Sequence, residues 1–160
     1  MSLPSHDCAV GARSYAERMT IPQRLSIVTL GVADLKRSSA FYQGLGWVPA
    51  AASTPEIVWF STSGSALGLF ETGELAADVG VPNEPRTGFR GTTLAINFES
   101  AEAVDEAWAA VLAAGATAVK APETAVWGGH SGYFADPDGH YWELVFAPGF
   151  GFDADGRLQL

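Results

Sequence analysis

The amino-acid sequence predicts an α+β fold: two β-α-β-β-β modules forming a cupped, half-open mixed sheet around a cavity. Three observations carry this. Offset by 66 positions, "IVTLGVADLKRSSAFY" (27–42) lies over "TLAINFESAEAVDEAW" (93–108) without a gap, aromatic ending over aromatic ending. Each copy opens with a strand-like run, continues into a helical pattern, and is followed by three further strand-like runs. Alternation along the strands leaves one face of each sheet built from small and polar residues, a face that does not fill its own space.

Taken in order, residues 1–20 are expected to form a flexible N-terminal tail, and residues 21–71 the first module. Its opening strand points Val28, Leu30 and Val32 one way and Ile27, Thr29 and Gly31 the other. Asp34 stands where a helix N-cap belongs, Leu35, Phe41 and Leu45 give the helix its apolar stripe, and the helix ends near Gly46. "WVPAA", "IVWFS" and "ALGLF" read as strands, with Gly64 before the last of them. Residues 72–91 form a Gly- and Pro-rich linker, with one helical turn around Glu74 to Val79.

The second module spans residues 92–150. Ser100 is its helix N-cap; Val104, Ala107, Trp108, Val111 and Leu112 recur at the spacing of one buried helix face, and Gly115 stops the helix. "ATAVK", "GYFA" and "YWELVF" are its strands, with the "DPDG" turn before the last. Two copies at this spacing suit an intramolecular pseudo-dimer better than a stacked array. Residues 151–160 form a C-terminal extension, a short hairpin turning at Asp155-Gly156.

The same alternation places a carboxylate. In the closing strands Leu67, Leu69, Trp142, Leu144 and Phe146 belong with the helices, whereas Gly68, Tyr141 and Glu143 face away, beside Thr93, Ala95 and Asn97 of the repeat's first strand. Glu143 therefore belongs to the cavity side.

Composition narrows the partners. A 48% hydrophobic content with 17% charge in 160 residues suits one globular unit with a core. The net charge of −9 repels nucleic acid and anionic membrane, and no apolar run approaches the length of a spanning helix. Cys8 is the single cysteine and closes no intrachain disulfide; with no secretory signal pattern, the cytoplasm is the expected location. A phosphate-binding loop, a nucleophile elbow and a CxxC pair are all missing from the sequence.

"VTLGVADLKRSSAFYQGLGW" and "SGYFADPDGHYWELVFAPGF" resemble the two ends of a vicinal-oxygen-chelate protein, the superfamily of glyoxalase I, bleomycin-resistance proteins and extradiol dioxygenases, over about residues 22–150. The resemblance implies paired modules around a small-molecule site and assembly as a homodimer. It also implies that metal-dependent relatives draw four ligands from the first and last strands of each module. Those places here are Ile27, Gly68, Thr93 and Glu143, and only Glu143 is a ligand of the usual kind. No cofactor is expected; a divalent metal held by an altered set, Glu143 with His130 and Glu71 or a partner chain, is the alternative, and with it a lyase, isomerase or dioxygenase.

Three readings of Glu143 stand: a relic hydrogen-bonded to Thr93, Asn97 or Tyr141; an anchor for a cationic ligand; or an acid–base group, with Arg86 and Arg90 within reach to pair with it. The candidate ligand-binding set is Ile27, Trp59, Gly68, Thr93, Asn97, Trp127, His130, Tyr141 and Glu143. Trp47, Trp108 and Trp142 are assigned to packing, and at least one of Trp59 and Trp127 to the cavity. His6 falls in the tail and His140 at the DPDG turn.

Overall fold

The computed structural model describes residues 21–85 and 88–160, so the expectations for the tail, Cys8, His6 and Arg86 lie outside the described residues. In the first module β1 (Ile27–Val32) leads into α1 (Leu35–Gly44), then β2 (Ile57–Ser61) and β3 (Ala66–Glu71). Asp34 caps α1 as the sequence requires: its side chain accepts from the backbone N–H groups of Lys36 and Arg37. Those bonds, that of Arg37 foremost, hold the Asp34 carboxyl below its ordinary range.

"WVPAA" corrects one expectation. It forms no strand, only a single antiparallel bridge between Pro49 and Phe60. Proline supplies no N–H for a ladder, and Ala50 N bonds once to Trp59 O before Ser53 N turns back to Ala50 O. The first sheet therefore has three strands, ordered β1-β3-β2, with β1 and β3 parallel. After it α2 (Thr72–Val79) runs two turns, longer than the expected single turn, and ends at Gly80 with positive φ.

The second module has every element the sequence pattern places in it, although Leu112, expected on the buried face of its helix, is exposed. Its order is β4 (Leu94–Asn97), α3 (Ala101–Ala113), β5 (Thr117–Thr124), β6 (His130–Ala135) and β7 (Tyr141–Phe146), arranged as β4-β7-β6-β5. Ser100 caps α3 by accepting from Ala103 N. The register of β5 slips between Ala118 and Glu123, which is how Pro122 is tolerated within it. The hairpin of β8 (Gly151–Phe152) and β9 (Leu158–Gln159) ends the chain.

Both modules turn their helix-side faces into one core. Leu30, Val32, Leu67 and Leu69 from the first sheet meet Phe134, Trp142 and Leu144 from the second, with Phe41 and Tyr42 of α1 and Val104 and Val111 of α3 among them. Trp142 is buried and Trp47 and Trp108 pack against the core, as assigned. Tyr42 reaches across the join and donates to Asp136 Oδ2 at 2.6 Å; burial, then the neighbouring carboxylate, pushes its phenol well above the ordinary range. The DPDG turn completes the join: Asp138 accepts from Ala33 N at 2.8 Å, from Arg37 Nη2 at 2.7 Å and from the buried Ser38 hydroxyl. His140 Nε2 bonds the Gly31 carbonyl at 2.8 Å.

Candidate functional site

The faces turned away from this core carry equivalent rows of three residues. In the first module Thr29 of β1, Gly68 of β3 and Trp59 of β2 lie side by side. In the second, Ala95 of β4, Glu143 of β7 and Tyr133 of β6 occupy the same places. Their contents differ completely.

In the first row the Trp59 indole occupies the space beside Gly68. A Cβ built on Gly68 would stand 2.9 Å from Cε3 of that ring, closer still to Cζ3, and 3.3 Å from Thr29 Oγ1. The space a ligating side chain would need is filled by tryptophan. Further along the face α2 covers Gly31, with Thr72 Oγ1 3.1 Å from where a Cβ would be. Glu71 caps α2 by accepting from Glu74 N at 2.9 Å, and this bond foremost holds its carboxyl below the ordinary range. That carboxylate serves the helix end and is exposed.

In the second row the half-buried Glu143 accepts a hydrogen bond from Tyr133 Oη at 2.7 Å. The bond, then burial and the carboxylate's charge, pushes the phenol up to about 12. Tyr133 thus stays a neutral donor at any ordinary pH. The partner of Glu143 is Tyr133 rather than Thr93, Asn97 or Tyr141, and among the described residues Arg90 makes no ion pair with it. Tyr133 is absent from the candidates read off the sequence. The signal was available: the DPDG turn sets Ala135 opposite Tyr141, so two residues back along each strand Tyr133 meets Glu143.

The other candidates disperse. Ile27 is 49% exposed at the start of β1, and Thr93 is exposed just before β4. His130 corrects the reading of "VWGGHSGYF" as a cavity edge: it alternates with Tyr133 onto the helix-side face, where Nε2 bonds Asp105 of α3 at 2.8 Å and Nδ1 meets Thr124 Oγ1 at 3.0 Å. Trp127 is 60% exposed, folded over Gly129 in the β5–β6 turn. Tyr141 borders a small cleft of about 70 Å³ with His140 and Arg90, its ring 5.8 Å from that of Phe89. A larger cavity of about 450 Å³ lies between the two sheets; of the candidates only Asn97 lines it.

These positions do not fit a divalent cation. Ile27 and Gly68 have no side-chain donor, the Gly68 site is filled by an indole, and one carboxylate with one exposed threonine leaves most coordination to water. No group of three or more His, Cys, Asp or Glu side chains with metal-binding geometry occurs among the described residues. Nor, among them, is any helix long and apolar enough to cross a membrane.

Fold and motifs together define a class. Residues 24–144 match the model of the Glyoxalase/Bleomycin resistance protein/Dioxygenase superfamily, and the chain belongs to that superfamily. Among solved structures it is similar to a glyoxalase-related enzyme from Fulvimarina pelagi, at 35% identity and a TM-score of 0.79, covering 87% of this chain and 99% of that one. It is also similar to a glyoxalase/bleomycin resistance protein/dioxygenase family enzyme from Burkholderia phytofirmans PsJN: 25% identity, TM-score 0.69, 77% and 98% covered. A lactoylglutathione lyase from Agrobacterium tumefaciens, at 24% identity and a TM-score of 0.62 over 83% of this chain and 100% of that one, shares the fold. No curated protein matches the chain.

Proposed function

We propose that this chain is a metal-independent member of its superfamily that binds a small organic molecule, cationic at one end, against the face carrying Glu143. The observation behind this reading is the contrast of the two rows: the Gly68 position is closed by Trp59, while among the described residues Glu143 is held by one neutral donor and keeps an oxygen for a ligand. An ionised carboxylate beside a tyrosine ring attracts an amine or guanidine by charge and by the ring face. A homodimer and a cytoplasmic location belong to the same proposal; the half-exposed Ile27 and the open sheet faces offer apolar surface for a second chain.

The metal-dependent alternative loses its helpers, because His130 is engaged with Asp105 on the opposite face and Glu71 caps α2. Elemental analysis and titration with zinc, nickel, manganese and iron decide between the two. The expected result is well below one metal per chain, together with a melting temperature raised by an aromatic amine in the wild type and not in Glu143→Gln; a ligand at 100 times its Kd adds about 2.7 kcal/mol. Stoichiometric metal that Glu143→Gln releases would establish the enzyme reading instead.

A further inference from the structure

The cavity of about 450 Å³ meets the Glu143 row only at Ala95; neither Glu143 nor Tyr133 lines it. It lies where the first sheet, at Val28 and Leu67, approaches the free edge of β4. Trp47 and Trp142 line it, as do Phe152 and Leu158 of the terminal hairpin. No charged side chain lines it among the described residues. The volume is in the range that holds one small molecule.

The edge of β4 gives this apolar space a direction. Among the described residues β4 ends its sheet and pairs with β7 alone. Phe98 N donates to Val145 O at 2.9 Å, so by strand alternation Ile96 and Leu94 also turn their backbone groups toward β7. The N–H and C=O of Ala95 and Asn97 point the other way, and all four residues of the strand line the cavity. Among the described residues no backbone or side-chain partner meets the groups of Ala95 and Asn97. A free strand edge offers the C=O of one residue and the N–H of the residue two further on, side by side, to whatever lies against it.

We propose that this cavity is a second binding site, for a neutral, flat aromatic molecule with a lactam or cis-amide edge that donates to Ala95 O and accepts from Asn97 N while its rings lie against Trp47 and Trp142. A cation is disfavoured, because no charged side chain among the described residues faces the cavity. A peptide strand would use the same edge, but a volume of about 450 Å³ suits a ring system rather than a length of chain.

The test is calorimetric titration of the full chain with 2-quinolone, a neutral lactam, and with N-methyl-2-quinolone, which has the same rings and lacks the donor. Saturable one-to-one binding is expected for the lactam, with roughly tenfold weaker binding for the N-methyl analogue. Ser65→Phe and Thr62→Phe, each placing a ring at the cavity rim, are expected to weaken the lactam by at least roughly tenfold while near-ultraviolet circular dichroism stays unchanged. Absence of saturable binding overturns the proposal, as does equal affinity for the two analogues, a comparison that needs no variant. Loss of lactam binding in Glu143→Gln with both rim variants unaffected would place the molecule on the open face and overturn it too. The amine result at Glu143 is independent of all these outcomes.

Discussion

The two modules share a pattern and differ in what they expose. Each has a parallel first and last strand, a capped helix, and a cross-strand row on its outer face. In the first module that row is Thr29-Gly68-Trp59, closed by its own indole; in the second it is Ala95-Glu143-Tyr133, open and carrying a hydrogen-bonded carboxylate. The turns before the last strands diverge as well. The second, at Asp138, grips the start of α1, whereas the first, at Gly64, faces the Arg157 side chain of the terminal hairpin. A shared order of strands and helix therefore fixes a frame, and side-chain volume at matching positions decides which outer face stays open.

The strongest way to break this contrast is to give the first row a carboxylate. Gly68→Glu forces a buried side chain into the Trp59 ring and is expected to cost about 3 kcal/mol in urea unfolding. Trp59→Ala in the same chain should recover part of that loss, and strict additivity of the two substitutions would show that the ring does not fill the site.

The turns come next. Asp138→Ala removes the acceptor of Ala33 N, Arg37 and Ser38 and should cost about 2 kcal/mol, whereas Ser63→Ala in the other turn should stay within about 0.5 kcal/mol. Equal losses in urea unfolding would mean the turns are equivalent after all.

The smallest effect sharpens the second row. Because the folded protein holds the Tyr133 proton more tightly than a free phenol, the bond to Glu143 contributes stability that is fully present below about pH 10, the unfolded value, and is lost as pH rises through about 12. Tyrosinate absorbance in an alkaline titration should show this late ionisation. Glu143→Gln should bring it back toward the ordinary tyrosine range; an unchanged profile would mean that the carboxylate is not what holds the proton.

Much of this was legible from residue order. Asp34 and Ser100 are small acceptors just before helical stripes, and both cap helices. The alternation of "YWELVF" put Trp142 and Leu144 in the core and Glu143 outside it, as found. "WVPAA" misled because its apolar content suits a strand while its proline breaks the ladder. His130 misled because a flexible "WGG" before it hides its phase, and only the pairing of His130 with Phe146 fixes the face it takes.

By itself the sequence determined the helix caps and which faces of the strands at Leu30, Trp142 and Leu144 enter the core, since each follows from local periodicity or from the identity of a residue just before a helical stripe. Tertiary structure alone decided that Trp59 covers Gly68, that the DPDG turn clasps α1, and that the cavity of about 450 Å³ lies along the free edge of β4 rather than over Glu143. These depend on how side chains distant in the chain fill space against one another, and close packing of that kind leaves no trace in local pattern.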